Sequence, residues 1–223
     1  MSTSDLLREA YERLEQQYGP QGWWPGETPF EVAVGAILTQ NTAWTNVEKA
    51  IRALKEVDSL NSAAIHAMHM DELASIIRSA GYYRLKAARL KNFVRVIEEQ
   101  FDGDFDSLLQ LPTHNLRERL LEINGIGPET ADSIVLYAAG KPLFVVDTYT
   151  ARVAKRHGWV DYEADYHALQ ETFQGSLEDD PKLFNQYHAL LVRVAKNHCK
   201  TQPHCDGCPL QPMLPSGGPL EPL

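Results

Sequence analysis

Apolar positions recur at helical spacing along most of the chain. Leu6, Leu7, Ala10, Leu14 and Tyr18 follow Ser4 and Asp5 and predict a first helix, which Gly19-Pro20 stops. After a loop carrying Trp23, Trp24 and Pro25, the run PFEVAVGAIL beyond Thr28 is too uniformly apolar for a surface helix and predicts a largely buried one. Gly35 inside it points to the close approach of a neighbouring backbone, and Gln40-Asn41-Thr42 ends it. Further helices are predicted over residues 44–55, 71–78, 82–100, 116–122 and 129–139. Beyond Asp147 the pattern predicts helices to about residue 157, around 166–173, and over 181–198. Only LFVV, residues 143–146, reads as extended. The pattern is that of an all-α chain. Residues 211–223 are rich in Pro and Gly, have little to bury, and are expected to be disordered.

Two features interrupt this pattern with possible chemistry. Gly125-Ile126-Gly127 separates two helical runs, and Pro128 suits the first position of the second. Such a helix start attracts phosphate through unpaired amides and the positive end of the dipole, although Gly-x-Gly alone is also ordinary turn chemistry. Downstream, Asp147 precedes TYTARVAKR, where its spacing makes it an N-cap.

Composition changes the picture in three places. Thirty acidic residues against 21 basic ones leave a formal charge of -9 over 223 residues, which argues against a nucleic-acid binder relying on a global positive field. Locally, Arg84, Lys86, Arg89, Lys91 and Arg95 occur with no acid among them, and Lys182, Arg193, Lys196 and Lys200 lie near the C-terminus. These are either solvated helix faces or phosphate contacts. No stretch approaches the roughly 20 apolar residues of a membrane span. The N-terminus reads as charged helix rather than signal peptide, so a cytoplasmic protein without a membrane partner is expected. Cys199, Cys205 and Cys208 fall close together and fit a metal or cluster site in a reducing compartment better than a disulfide framework.

LLEINGIGPETADSIVLYA followed by LFVVDTYTARVAKR resembles the helix-hairpin-helix and Gly-Pro-Asp (HhH-GPD) signature of the endonuclease III superfamily of DNA glycosylases. PFEVAVGAILTQNTAWTNVEKA is similar to that family's early core helix and wedge turn, and GYYRLKAARLK to its middle helix. The resemblance implies a two-lobed all-α fold: a lobe over 28–139 containing the hairpin, and a second formed by 1–27 with 140–210. It implies base-excision repair by a monomer acting on damaged double-stranded DNA. The damaged strand would be held at Gly125, Gly127, Glu129 and Thr130, with Lys196 and Lys200 contributing from the C-terminal region. A base flipped into the cleft of the lobes would meet Asp147, whose implied role is to stabilise the sugar cation and to orient or deprotonate the attacking water.

Glu129 stands where bifunctional members carry the lysine that forms a Schiff base, and Lys141 and Lys155 lie outside that position. A carboxylate cannot form a Schiff base, so a monofunctional, hydrolytic glycosylase with no AP lyase activity is expected. Trp23-Trp24 and Trp44 resemble the 3-methyladenine glycosylase branch, in which aromatic residues sandwich the flipped base. Stacking on an indole favours electron-poor alkylated purines, and Trp24 and Trp44 are the base-binding candidates. The alternative is that these tryptophans fill core. Gln40 and Asn41 are candidates for the wedge that fills the vacated base position, Asn41 aligning best; a plain polar turn is the alternative.

HCKTQPHCDGCPLQPML is similar to the family's iron-sulfur loop and supplies three of the four ligands expected of a 4Fe-4S site: Cys199, Cys205 and Cys208. The fourth is expected near Leu214, where no cysteine stands. A cluster with one non-cysteine ligand, zinc held by the three cysteines with His198 or His204, and no metal all remain open. Two other functions compete: a bifunctional endonuclease III-like glycosylase/AP lyase acting on oxidised or mismatched pyrimidines, and a non-catalytic helix-hairpin-helix scaffold that binds DNA.

Overall fold

The computed structural model describes residues 2–221, and among these it contains twelve α-helices and no strand. Helix α1 (Thr3–Tyr18) begins at a capping box: the Ser2 hydroxyl accepts the Asp5 amide while the Asp5 carboxylate accepts the Ser2 amide. Then follow α2 (Pro29–Leu38), α3 (Trp44–Glu56), α4 (Ser62–Ala67), α5 (Met70–Ile76), α6 (Tyr83–Gln100), α7 (Phe105–Gln110), α8 (Thr113–Leu121) and α9 (Pro128–Ser133). The last runs directly into a wider π turn, Ile134–Ala138. The chain ends with α10 (Thr148–Arg156), α11 (Tyr166–Gln174) and α12 (Pro181–Asn197). No helix is long and apolar enough to cross a membrane.

Helices α4 and α7 were not expected, because six residues offer too few repeats for periodicity to stand out. The segment Leu143–Val146 has no strand partner. Its backbone is served by side chains of α11 instead: the Phe144 amide donates to Gln174 Oε1 at 3.2 Å, and Gln170 Nε2 donates to the Phe144 carbonyl at 2.7 Å. These amides let a buried apolar run do without a sheet.

The chain divides into two compact units, Trp24–Lys141 and a second made of Met1–Trp23 with Pro142–Leu223. In the first, α2 is the core, buried from Glu31 to Leu38 and packed on α3, α6, α9 and the π turn. A Cβ on Gly35 would lie 3.3 Å from Trp24 Nε1 and 3.4 Å from Trp44 Cη2. The neighbour that Gly35 admits is therefore a pair of indoles and not the backbone expected from sequence. Helices α8 and α9, the two arms of the hairpin, are joined by Arg117 Nε and Asp132 Oδ1 at 2.7 Å, with Asp132 fully buried.

In the second unit α12 is central, with α1 and α10 against it. The Tyr187 hydroxyl donates to the Leu7 carbonyl at 2.8 Å, and Phe144 stacks on Phe173 with centroids 4.3 Å apart. The segment read as a disordered tail makes specific contacts in its described part. Gln211–Met213 forms a 3-10 turn, the Leu220 amide donates to the Arg156 carbonyl at 2.9 Å, and Glu221 pairs with Arg156 at 3.0 Å. One arginine and one amide make these anchors, so composition does not reveal them.

Replacing Asp132 by alanine strands the Arg117 guanidinium in a poorly hydrated place and should cost about 3 kcal/mol. Urea denaturation of the variant against wild type measures this, and a loss below about 1 kcal/mol would show that the pair does not hold the hairpin.

Candidate active site

The hairpin is shaped by its packing as much as by its turn. Gly125 has φ +97°, and a Cβ there would run into Arg89 Cγ, so glycine is required twice over. Gly127 has φ -95° with open space around it, and as N-cap of α9 it leaves the helix start without a side-chain cap. Glu129 follows in the exposed first turn, its carbonyl accepting the Ser133 hydroxyl at 2.7 Å. Thr130 is buried, and its hydroxyl accepts Gln40 Nε2 at 2.9 Å.

Gln40 is a brace. Its Nε2 also donates to the Gly125 carbonyl at 3.1 Å, and its Oε1 accepts from the Arg89 guanidinium. Asn41, the next residue, is exposed at the tip of the turn with φ +53°, a left-handed conformation that asparagine tolerates. Behind this turn lies Lys86, 1% exposed, whose Nζ donates to the Leu38 carbonyl (2.8 Å), Thr42 Oγ1 (2.5 Å) and the Ala80 carbonyl (2.7 Å). Burial, with Arg89 adding repulsion, pushes the Lys86 ammonium down to about 8. Tyr82, just before α6, has φ +43° and is 72% exposed. Sequence reasoning missed both residues: Lys86 was read as part of a basic run, and nothing local marks Tyr82 as exposed.

That basic run is not one continuous solvated face. Lys86 and Arg89 point inward, Lys91 donates to the His66 and Met68 carbonyls, and Arg84 pairs with Asp71 at 3.0 Å. Arg95 is exposed. Trp24 and Trp44 meet edge to face at 5.1 Å, and Trp24 stacks on Tyr137, also at 5.1 Å. Both indoles are half-buried, and Trp44 Nε1 donates to Glu48 at 2.7 Å.

Asp147 is the N-cap of α10. Its Oδ1 accepts the Thr150 amide at 2.7 Å, and its Oδ2 lies 3.6 Å from Nε2 of His188 on α12. Burial pushes the Asp147 carboxyl up, but the charge and hydrogen bonding of His188 and the Thr150 amide outweigh it, and the net shift is below the ordinary carboxylate value. His188 is 3% exposed, with the Trp23 ring edge-on to it at 6.2 Å. Its place was not legible in sequence, since 41 residues separate it from Asp147 (188 − 147). The result is a carboxylate whose charged form is favoured and whose direction is fixed, as stabilisation of a developing positive charge requires.

Past α12, Cys199 and Cys208 are buried and Cys205 is half-buried. Arg156 Nη1 donates to Cys199 Sγ at 3.5 Å. Burial, then repulsion from Cys199, pushes Cys205 up. Cys208 is also raised by burial, against the pull of the Leu210 and Gln211 amides. All three cysteines line one cavity with Leu214 and His157. Among the described residues no group of three His, Cys, Asp or Glu side chains is drawn together around a single metal ion. The donor set nevertheless suits a thiophilic group: three thiols, a guanidinium and backbone amides directed at sulfur. Beside this loop Lys196 and Arg152 lie over the Tyr149 ring, each at 5.5 Å, and Lys200 is exposed.

Because the folded carboxyl of Asp147 is depressed, its ionisation contributes stability above the ordinary carboxylate range, and that contribution is lost as pH falls through the lowered value. The difference in thermal midpoint between wild type and Asp147→Asn should therefore be steady above about pH 5 and move against wild type below about pH 4. A difference independent of pH across that range would show that His188 and Thr150 do not hold the charge.

The chain is similar to known proteins along most of its length. Residues 34–179 match the model of the HhH-GPD superfamily of base excision DNA repair proteins. The candidate DNA repair glycosylase MJ1434 of Methanocaldococcus jannaschii is 44% identical over 93% of this chain and 94% of its own. A non-covalent endonuclease III–DNA complex superposes with a TM-score of 0.83 at 25% identity, covering 97% of each chain. The H. pylori 3-methyladenine DNA glycosylase MagIII, bound to 1,N6-ethenoadenine, superposes at 0.76 with 31% identity over 88% of this chain and 98% of that one. With its uncapped Gly-Ile-Gly hairpin and its half-buried aspartate at a helix start, this chain belongs to the HhH-GPD superfamily of base-excision DNA glycosylases.

Proposed function

We propose that the protein is a monofunctional glycosylase that hydrolyses the bond between deoxyribose and an alkylated purine in duplex DNA. The observation that carries this reading is a half-buried Asp147 whose carboxyl is held below its ordinary value, and it is supported by a carboxylate, Glu129, at the position where the family resemblance would put a Schiff-base lysine. As the C–N bond breaks, its electron pair leaves with the base and positive charge develops on the sugar. Asp147 stabilises that charge and aligns the water whose oxygen bonds to the sugar carbon. The water's proton passes to the carboxylate or to solvent. His188 positions Asp147 through its imidazole.

The alkylated purine is supported by the half-buried Trp24, Trp44 and Tyr137 set that Gly35 makes room for, and by the likeness to a relative whose structure holds 1,N6-ethenoadenine. Electron-poor bases gain most from stacking on indole. Asn41 acts as the wedge and Gln40 holds the wedge turn to the hairpin, with the exposed Tyr82 ring offering a second surface for bases. The amides at Gly125–Thr130 grip phosphate, supported by Lys196 and Lys200. The three cysteines hold an iron-sulfur cluster that fastens the C-terminal loop, leaving base release to Asp147.

Duplexes carrying single lesions test this. Base release should be greatest for alkylated purines, strands should break only after alkali, and borohydride should trap no protein-DNA adduct. Strand breaks without alkali, or a trapped adduct, would sink the monofunctional reading. Asp147→Asn should lower base release by about 100-fold or more with DNA binding retained. Unchanged release would leave only a binding scaffold. Trp44→Ala should cost about tenfold on an alkylated purine, within the range of one lost stacking contact.

A further inference from the structure

The site opposite the three cysteines holds an unexplained side chain. Leu214, where a fourth cysteine would be expected, lines the cavity but offers no donor atom. His157 lines the same cavity from the C-cap of α10, is 8% exposed, and packs against the Trp159 ring at 5.1 Å. Its Nδ1 lies 2.9 Å from the Val153 carbonyl, so Nδ1–H donates and Nε2 carries the lone pair. That Nε2 is buried and makes no hydrogen bond of full geometry, and the Leu210 carbonyl nearby favours the protonated ring. Leaving a buried acceptor unpaired costs about 1 to 3 kcal/mol, so an empty role for it is costly.

We infer that His157 Nε2 is the fourth protein ligand of an iron-sulfur cluster held by Cys199, Cys205 and Cys208. A ligating imidazole usually donates its other ring N–H to a carbonyl or carboxylate, as His157 does to Val153. The other histidines of the cavity are less suited. His198 directs Nδ1 to the His204 carbonyl at 3.1 Å and is half-exposed, and His204 is exposed. Cluster ligands each bind a different iron and need not meet at one point, whereas zinc draws its ligands around one centre. Arg156, the preceding residue, already donates to Cys199 Sγ and to the Lys200 and Thr201 carbonyls, so the end of α10 and the cysteine loop are joined before any metal arrives. An imidazole in place of a thiolate leaves the site one negative charge poorer, which raises its reduction potential.

This inference rests on the cluster reading of the cysteines, and the test separates the two. Anaerobically purified wild type labelled with 15N-histidine should carry about four irons and show, in its paramagnetic state by pulsed EPR, coupling to one histidine nitrogen. His157→Cys should keep the irons, lose the coupling and titrate at a lower potential. His157→Ala should fall to about three irons, and adding Leu214→Cys should restore about four. Absence of nitrogen coupling in labelled wild type, or His157→Ala retaining four irons at an unchanged potential, would overturn the assignment of His157. Zinc in place of iron, or no metal after reconstitution with iron and sulfide, would overturn the cluster reading itself. If the alanine variant fails to fold, labelled wild type still decides. Base release by wild type on the lesion panel is read separately and bears only on the glycosylase assignment.

Discussion

A carboxylate kept charged with little water around it constrains everything built about Asp147. Removing a carboxylate from water raises its pKa unless donors and positive charge replace the lost hydration. Here the replacement comes from two directions: the first-turn amide of α10, which the carboxylate caps, and His188 from α12. The cap and the proposed catalytic role are therefore one arrangement. An aspartate that caps a helix is already aimed, already stripped of water on one side and already stabilised as an anion. Helix α12 must lie where His188 reaches it, which its contacts with α1 and α10 and the Tyr187–Leu7 bond secure.

The hairpin unit solves a related problem with polar side chains used as internal ties. Lys86 offers three N–H donors and finds three acceptors, at the end of α2, in the wedge turn and before α6. Gln40 joins that turn to the hairpin through Gly125 and Thr130. An exposed turn cannot be fastened by apolar packing alone. Buried hydrogen bonds beneath it give it direction while leaving Asn41 in solvent. Tethers of this kind are directional, and a fully satisfied set holds one geometry where apolar contact would permit several.

What could be read from sequence follows from how local each feature is. The helices with strong periodicity, such as the buried α2, were legible because the signal lies within one element. Asp147 was legible as a cap, and the hairpin as a glycine-rich helix start, for the same reason. The function of Gln40 as a brace, the inward turn of Lys86 and Arg89 onto the end of α2 and Gln40, and the meeting of Asp147 with His188 depend on residues 41 to 90 positions apart. No local pattern records such pairings. Charge misled most: a run of five basic residues without an acid looks like a surface, and four of its members are tied to partners within the unit.

The same accounting reconciles a net charge of -9 with a DNA-binding family. If the basic run is largely committed to internal bonds, it adds little to a field that attracts duplex DNA. Under the proposed function, contact with phosphate is assigned to groups that carry no formal charge, the amides at the start of α9, and to a few cations by the cysteine loop such as Lys196 and Lys200. Amides at a helix start release no counterion of their own and act only at close range. Such a protein gains little from long-range attraction and must find its strand by short-range fit. That gives a physical reason for glycine at 125, where Arg89 leaves no room for a side chain, and for the open surroundings of Gly127, where a phosphate can approach the backbone.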